Sequence, residues 1–429
     1  MERFSKLLFF VCLIIMLSIM LTIFPVIAQE KEDCDDAEFP PKMKSKETWE
    51  QILNVPGIVL AFPFWLLEQS ISPALDLILE KKLVAKVKDF LRTDDGLRGV
   101  YPTYKSQIGG GAKFFQKDLL NQGSKLDLIA TIGLRWRQYY QIHLKRVKLS
   151  QNLTSAFSVD YSNFTDEPFF EIGNNTAVDD KSNYAHKQAA AEITIGVDLP
   201  IKSYLTTNVG IDYNRIRDGR NKTLPSIKDR PSLEMELIPG LTDDVRIFRL
   251  QAMLEHDSRN RLGNPSAGWL ATIKGGYFSE LGENKFGFWQ AYMDITRYFH
   301  LFRNRTFLIR GAAQITEAFD NRQIPFYYMS ELGERESIRG YSRGRFRDED
   351  MVLGSLEYRY PILNRSTSVD FSLFVDTGKV YKDLVNEFDT SDYHFGYGGG
   401  FRFYNPEGTF LQLLVGFSED GYRCYVVLN

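Results

Sequence analysis

Two short stretches of this 429-residue chain decide its fold. They read Leu353-Gly-Ser-Leu-Glu-Tyr-Arg-Tyr360 and Val369-Asp-Phe-Ser-Leu-Phe-Val-Asp376. Apolar and polar side chains alternate along both: Leu356, Tyr358 and Tyr360 against Ser355, Glu357 and Arg359, then Val369, Phe371, Leu373 and Val375 against Asp370, Ser372 and Asp376. An apolar face and a charged face at a period of two residues indicate a β-strand with lipid on one side and water on the other.

An arginine and an aromatic residue flank a glycine just before these strands, in Ser337-Ile338-Arg339-Gly340-Tyr341. An arginine inside a barrel needs a carboxylate partner, and Glu357 and Asp376 both lie on the polar faces of the strands. A hairpin centred near Asn364 would stagger them by about four residues, roughly 13 Å. Asp376 and Glu357 are therefore the candidate partners of Arg339, and one guanidinium is not expected to hold both unless the turn or the barrel shear shifts the register.

Three motifs together resemble those of the BamA/TamA family of outer-membrane protein assembly barrels (the bacterial surface antigen domain). They are Ile338-Arg-Gly-Tyr341, Gly354-Ser-Leu-Glu357 and Phe374-Val-Asp376, and their order and spacing match. Asp257-Ser-Arg-Asn260 and Asn264-Pro-Ser-Ala-Gly-Trp269 resemble a further family segment. The resemblance covers roughly residues 245–417. It implies that the loop tip (Ile338, Arg339, Gly340, Tyr341) folds into the lumen against Gly354, Glu357, Phe374 and Asp376 on the barrel wall. By the same resemblance, Arg339 is expected to pair first with Asp376 and second with Glu357.

Alternating segments of the same kind continue from about Tyr104 to the end of the chain. Strands cannot leave open edges in hydrocarbon, so the sheet is expected to close. We count about fifteen candidates, whereas single-chain bacterial barrels have an even number of strands. The predicted fold is therefore all-β: a closed antiparallel transmembrane barrel of 16 strands over residues 98–429, as the resemblance also implies. The strand still to be located is expected between Asn163 and Tyr184 or near Met235.

The residues before the barrel divide into three parts. Residues 1–28 are predicted to be a signal peptide, with Arg3 and Lys6 before an apolar run and Val26-Ile-Ala28 at the cleavage site, and an uncleaved anchor is the alternative. Residues 29–55 are charged and indicate a disordered leader. Residues 56–97 have apolar positions near helical spacing and predict an amphipathic helical segment at the periplasmic mouth, lying in the membrane interface or packed on the barrel. The chain is expected to be a barrel-only relative without periplasmic modules.

Several classes of function are disfavoured by the composition. A net charge of −3 gives no electrostatic case for nucleic acid. The five histidines lack metal-ligand spacing, so neither a metal nor a cofactor is expected. His256-Asp257-Ser258 lies at a strand-to-turn boundary without a nucleophile elbow, so we expect no enzyme. Cys34 and Cys424 remain after cleavage, either as a disulfide or as two unrelated thiols.

Glycines and loop arginines complete the candidate positions. Gly109, Gly110 and Gly111 lie in the segment 104–115, predicted as the first strand, and fit either a barrel corner or a loosened seam with the last strand at 422–428. Gly396, Gly398 and Gly400 share one face and are expected to make room for the inserted loop. Arg343, Arg345 and Arg347 are expected to be solvated.

The resemblance, rather than composition, implies the function: insertion or translocation of proteins at the bacterial outer membrane. Its partners would be outer-membrane lipid, client proteins that the sequence does not identify, and a separate periplasmic protein that supplies the missing modules. The alternative is a passive transport or structural barrel that keeps the loop as a plug of its lumen.

Overall fold

The computed structural model describes residues 91–105, 108–119, 123–230, 238–261, 263–363, 368–405 and 408–428. The predicted signal peptide, the leader and most of the helical segment lie outside the described residues and stay predictions. Residues 91–97 form a turn before the first strand, which begins at Arg98.

Eighteen strands make up almost all of the regular structure in the described residues. They are β1 (Arg98–Lys105), β2 (Gly109–Lys117), β3 (Lys125–Ile132), β4 (Gln138–Lys148), β5 (Leu153–Phe169), β6 (Ser182–Leu199), β7 (Ser203–Asp218), β8 (Asp244–Asp257), β9 (Gly268–Glu280), β10 (Gly287–Leu301), β11 (Arg305–Ala318), β12 (Ser330–Leu332), β13 (Phe346–Asp348), β14 (Asp350–Leu363), β15 (Ser368–Tyr381), β16 (His394–Asn405), β17 (Gly408–Ser418) and β18 (Gly421–Leu428). Single 3-10 turns occur at Leu134–Trp136, Val178–Asp180, Ile227–Asp229, Phe302–Asn304 and Phe326–Tyr328. In this described part of the chain, no helix has the length and apolar character needed to cross a membrane.

Sixteen of the strands form one antiparallel sheet in which each strand pairs with its neighbours in the chain. The exceptions, β12 and β13, pair only with each other inside the long connection between β11 and β14. The predicted count of 16 strands is thus confirmed. The hydrogen-bonded order of the described residues begins at β1 and ends at β18 without a ladder that joins these two. Closure through that seam stays a prediction.

The prediction of the first strand was wrong. Residues 104–115 do not form one strand, because the chain reverses between Lys105 and Gly109 to make β1 and β2. The strand missing from the sequence count is therefore β1. The expected strand between Asn163 and Tyr184 is not there, because these residues hold the end of β5, a 3-10 turn at Val178–Asp180 and the start of β6. The other expected location, near Met235, lies outside the described residues. Pro102 obscured the alternation in β1; a proline lacks an N–H donor and is tolerated on an edge strand.

Cross-strand rows show which way the side chains face. Ile309, Leu356, Val375 and Tyr397 pair in one row, and Arg310, Ser355, Asp376 and Gly396 in the next. Leu356 and Tyr397 are 46% and 58% exposed, whereas Asp376 is 0% exposed. The apolar rows therefore face outward and the polar rows face the interior, as the alternation predicted. Leu373 and Leu413 face outward and Asp370, Glu357 and Arg402 inward on the same pattern.

The sheet wraps around an interior that its own connections fill. Asn174, between β5 and β6, accepts hydrogen bonds from Val380 N of β15 (3.2 Å) and His394 Nε2 of β16 (3.0 Å), although many strands separate these elements in the sheet. The long connections at 170–181, 219–243, 319–349 and 382–393 all lie at the same end of the strands. Outer-membrane barrels have long extracellular loops and short periplasmic turns. We therefore call this end the outer end and the opposite end the periplasmic mouth.

Candidate functional site

The tip of the connection between β11 and β14 lies inside the barrel. Ile338 and Tyr341 are fully buried and Arg339 is 8% exposed. Ser337 stabilises the base of the tip, because its Oγ donates to Gly333 O and accepts from Gly333 N, both at 2.7 Å. The tip is thus a folded element with its own apolar core, which includes Leu332, Phe346 and Leu353.

Arg339 binds both predicted carboxylates at once. Its Nε and Nη2 donate to the two oxygens of Asp376, each at 2.7 Å, and its backbone N donates to Asp376 Oδ2 at 3.0 Å. Its Nη1 donates to Glu357 Oε2 at 2.8 Å. The guanidinium also lies over the ring of Phe374, 3.5 Å from the centroid. Together with Ser355, whose Oγ donates to Asp376 Oδ1 at 2.6 Å, these residues form what we call the tip site.

The expected stagger of about four residues between the carboxylates was wrong. Asp376 lies opposite Ser355 and Glu357 lies opposite Phe374, so the offset along the strands is two residues, roughly 7 Å at 3.3 Å per residue. A register shift between Pro361 and Leu363 changes the pairing that a regular hairpin would have. The one-residue shift keeps Glu357 and Asp376 on the same face, and the paired positions are centred later in the chain than Asn364. The offset is therefore shorter than expected, and one guanidinium reaches both groups.

The surroundings of the loop tip keep Arg339 charged and Tyr341 neutral. Burial alone would lower the pKa of Arg339, but the hydrogen bonds and negative charge of Asp376, together with the charge of Glu357, outweigh it and raise the pKa. Arg339 therefore remains a cation at every physiological pH. Burial also raises the pKa of Tyr341 to about 12, so its phenol stays neutral.

Glycines let the tip approach the last strands closely. Gly340 has φ 106°, a conformation that favours glycine, and a Cβ there would lie 2.7 Å from Phe417 O. A Cβ on Gly396 would lie 1.9 Å from Arg339 O, and one on Gly416 would lie 2.7 Å from Gly340 N. Gly396 thus makes room for the loop, whereas Gly398 makes room for the Phe374 ring and Gly400 for the neighbouring β17 backbone.

Not every predicted position belongs to the site. Gly354 pairs with Gly311 and Thr377 in an outward row, so it does not face the tip. Gly109, Gly110 and Gly111 begin β2 rather than the edge strand. A Cβ on Gly111 would lie 1.9 Å from Ala130 O, which indicates a close approach to β3.

Several residues of the site escaped sequence reasoning. Tyr341 packs edge-on against Phe346 and His394, and Phe346 stacks on His394 at 3.6 Å between ring centroids. Gly340 N donates to Tyr425 Oη at 2.9 Å, and Ser418 Oγ donates to Gly340 O at 3.0 Å. His394 and Tyr425 lie on inward rows of their strands, and this position was the only signal available.

The expectation that the later loop arginines are solvated was wrong for two of the three. Arg345 is 4% exposed and binds Asp420 Oδ2 (2.6 Å) and Thr176 Oγ1 (2.7 Å). Arg347 is 1% exposed; it donates to Phe326 O at 3.0 Å and pairs with Glu331 at 2.5 Å. Burial alone would lower the pKa of Arg347, but the charge of Glu331 outweighs it and raises the pKa. The loop turns inward and packs against its neighbours, which a charge run in a sequence does not reveal.

The remaining candidates are a serine–histidine–aspartate group, metal-ligating side chains and the cysteines. Ser203 Oγ lies 3.1 Å from His256 Nδ1, but Asp257 binds Arg259 through both carboxylate oxygens. No cluster of metal-ligating side chains occurs among the described residues. Cys424 is a free, exposed thiol, and Cys34 lies outside the described residues, so their pairing stays a prediction.

The fold and the tip site define a class: an antiparallel 16-stranded membrane barrel with an outer loop bound inside its lumen. The family model described as the Omp85 superfamily domain matches residues 119–413, well over half of the chain. The chain therefore belongs to the Omp85 superfamily of bacterial outer-membrane barrels, which act in protein insertion or translocation.

Solved structures share the fold at low sequence identity. BamA from Haemophilus ducreyi lacking POTRA domains 1–3 is 16% identical, with a TM-score of 0.55 over 77% of this chain and 67% of that one. CdiB from Acinetobacter baumannii is 14% identical, with a TM-score of 0.48 over 76% of this chain and 58% of that one. CdiB from Escherichia coli is 10% identical, with a TM-score of 0.47 over 77% and 60%. The chain thus spans about three fifths of each CdiB chain.

Proposed function

We propose that this barrel inserts or translocates client proteins at the outer membrane, and that the client engages the seam between β1 and β18. The observation that carries the proposal is that the docked tip contacts the last hairpin directly. Gly340 binds Tyr425 of β18 and Ser418 at the end of β17. The tip site therefore supports one side of the seam.

The seam strands suit this role because they are short. β1 and β18 have 8 residues each, whereas β6 has 18. A tilted strand needs about 9–11 residues to cross the hydrocarbon layer. Short strands at the seam would thin the adjacent bilayer and lower the barrier to insertion there.

Unpaired backbone groups at the seam can form hydrogen bonds with a client strand. The edge of a sheet presents a row of free N–H and C=O groups, and an incoming strand satisfies them by β-augmentation. On this proposal, β1 or β18 templates a client strand while the tip holds β17 and β18 in register.

Folding kinetics in liposomes test the activity. Purified barrel in vesicles should accelerate the folding of an unfolded outer-membrane protein, whereas a passive transport barrel would give ion conductance without acceleration. The loops that fill the interior argue against a wide open pore. Conductance alone would contradict the proposal and support the passive barrel.

Cross-linking from Cys424 tests the seam. Its side chain faces outward from β18 and is exposed, so a photoreactive maleimide can be attached there once the other cysteines are replaced by serine. We expect adducts with a client trapped during folding. A matched probe on Val209→Cys in Cys424→Ala, outward on β7 and 44% exposed, should give none. Equal adducts at both positions would contradict a route through the seam.

A further inference from the structure

The turn between β8 and β9 folds into the periplasmic mouth. We call its described residues, 258–261 and 263–267, the mouth turn. Its shape is set internally: Asn260 Oδ1 accepts from Ser266 N (3.0 Å) and Ala267 N (3.2 Å), and Asn260 N donates to Ala267 O (3.1 Å). Asn264 and Pro265 thus lie at the end of a preformed turn.

Strands from the far part of the sheet hold this turn in place. Gly263 O accepts from Thr409 Oγ1 (3.0 Å) and Thr409 N (3.2 Å), at the start of β17. Arg402 Nη1 of β16 donates to Asn264 Oδ1 at 3.1 Å, and Asn264 Nδ2 donates to Asp370 Oδ2 of β15 at 3.4 Å. Because β8 and β9 lie several strands away from β15, β16 and β17, the mouth turn crosses the mouth rather than following its rim.

A third contact, made by Arg359 of β14, connects the mouth turn to the tip site. Arg359 Nη1 of β14 donates to Pro265 O at 3.3 Å, and Arg359 Nε donates to Glu357 Oε1 at 2.8 Å. The other oxygen of Glu357 accepts from Arg339. Glu357 is thus the shared partner of one arginine from the outer loop and one arginine that holds the mouth turn.

The charges in this chain of contacts balance. Arg339, Arg359 and Arg402 face Asp376, Glu357 and Asp370, and five of the six side chains are at most 10% exposed while Glu357 is 14% exposed. Removing one buried charge leaves an uncompensated opposite charge, which its neighbours move to satisfy. If Arg339 leaves, Glu357 and Asp376 retain excess negative charge and attract Arg359. The bond from Arg359 to Pro265 O is longer than its bond to Glu357, so it is the contact expected to break.

We propose that the mouth turn gates the periplasmic mouth of the lumen and that Glu357 and Arg359 couple this gate to the outer loop. Undocking of the loop tip loosens the mouth turn, and loosening of the mouth turn weakens the docking of the tip. The coupling is a property of the empty barrel and does not depend on which cargo, if any, the barrel handles. Thermodynamic linkage requires the two effects to be equal.

Hydrogen exchange of the folded barrel in detergent tests the coupling. In Arg339→Ala, exchange at the amides of Thr409, Ser266 and Ala267, which donate to Gly263 O and Asn260 Oδ1, should accelerate about tenfold, the scale of one hydrogen bond to a charged group. The matched control is Arg345→Ala, which breaks a buried arginine contact of the same loop without touching Glu357. Unchanged exchange in Arg339→Ala, or equal acceleration in Arg345→Ala, would overturn the proposal.

Two further variants distinguish coupling through Glu357 and Arg359 from a general folding defect. Glu357→Gln keeps the shape of the side chain but removes the negative charge that draws Arg359 away from Pro265 O, so in this background Arg339→Ala should accelerate exchange of the mouth turn much less. In an Arg359→Gln background, adding Arg339→Ala should have no further effect on the mouth turn, because the link is already cut. Additive effects of these two changes would contradict a route through Arg359. Heat-modifiable migration on gels confirms in each case that the barrel has formed.

Discussion

Arg339 and Asp376 form a bidentate ion pair, with 2.7 Å at each N–H···O contact, that joins the outer loop to the inward face of β15. The backbone N–H of Arg339 adds a third bond to the same carboxylate. Side chain and main chain of one residue thus converge on a single buried acid. The loop position is therefore specified both by charge and by backbone geometry.

Breaking this pair should release the loop but leave the barrel. We expect Arg339→Ala or Asp376→Ala to cost about 3–5 kcal/mol of loop docking, since each leaves a buried charge without its partner. Limited proteolysis should then cleave the loop between β11 and β14, while heat-modifiable migration persists. The charge swap Arg339→Asp with Asp376→Arg should recover part of the loss only, because the backbone bond and the Phe374 contact are not restored. Protease resistance in Arg339→Ala equal to the unmodified protein would contradict the role of the pair.

Gly396 should be intolerant of any side chain. Gly396→Ala puts a methyl group 1.9 Å from Arg339 O, so the tip must move away from β16. We expect the same protease sensitivity as in Arg339→Ala, although every charge is retained. Gly275→Ala on β9 is the control, because a Cβ there meets no atom within 4 Å. Cleavage in both variants would point to a general effect of alanine on the strands.

The alternation of inward and outward side chains along β17 predicts that adjacent positions differ in their tolerance of an introduced charge. Leu413 faces outward near the middle of the strand and Gln412 faces inward. Leu413→Arg should lower the free energy of unfolding by about 2–4 kcal/mol, because a charge at the bilayer midplane is poorly solvated. Gln412→Glu should cost much less, since a carboxylate there faces the polar interior opposite Arg402. Urea unfolding in lipid vesicles measures both, and equal losses would reject the assigned facing.

The buried loop arginines should stabilise the outer cap of the barrel. Arg347→Gln removes the bonds of a side chain that is 1% exposed to Glu331 and to Phe326 O, so we expect about 1.5–3 kcal/mol of local destabilisation, since Glu331 is 33% exposed and water partly replaces its partner. Arg343→Gln is the comparison: the Arg343 side chain is 37% exposed, and its buried partner Glu167 keeps a second cation in Arg137, 3.2 Å away, so we expect only about 0–1 kcal/mol. Hydrogen exchange of residues 326–332 reports the difference. A larger effect of Arg343→Gln would contradict it.

The sequence by itself determined most of the strands and the direction in which their side chains face, and the motif resemblance identified the carboxylates that meet Arg339. These follow from a period of two residues and from charge pairing, both of which are local or depend on residue type alone. Alternation placed Leu373 outward and Asp376 inward, and the resemblance of their motifs to those of assembly barrels selected Asp376 and Glu357 from many acids.

Only the tertiary structure determined the strand register, the strand at the start of the seam and the burial of the loop arginines. The hairpin pairing is centred later in the chain than Asn364 and shifts by one residue between Pro361 and Leu363, so Glu357 and Asp376 share a face and reach one guanidinium. No local pattern encodes such a register. β1 was hidden because an edge strand with Pro102 lacks the alternation that burial imposes on central strands. Arg345 and Arg347 are buried by contacts with residues far away in the chain, Thr176 and Phe326 among them. Such contacts depend on which loops share one space inside the barrel, and that is settled only when the sheet has curved around them.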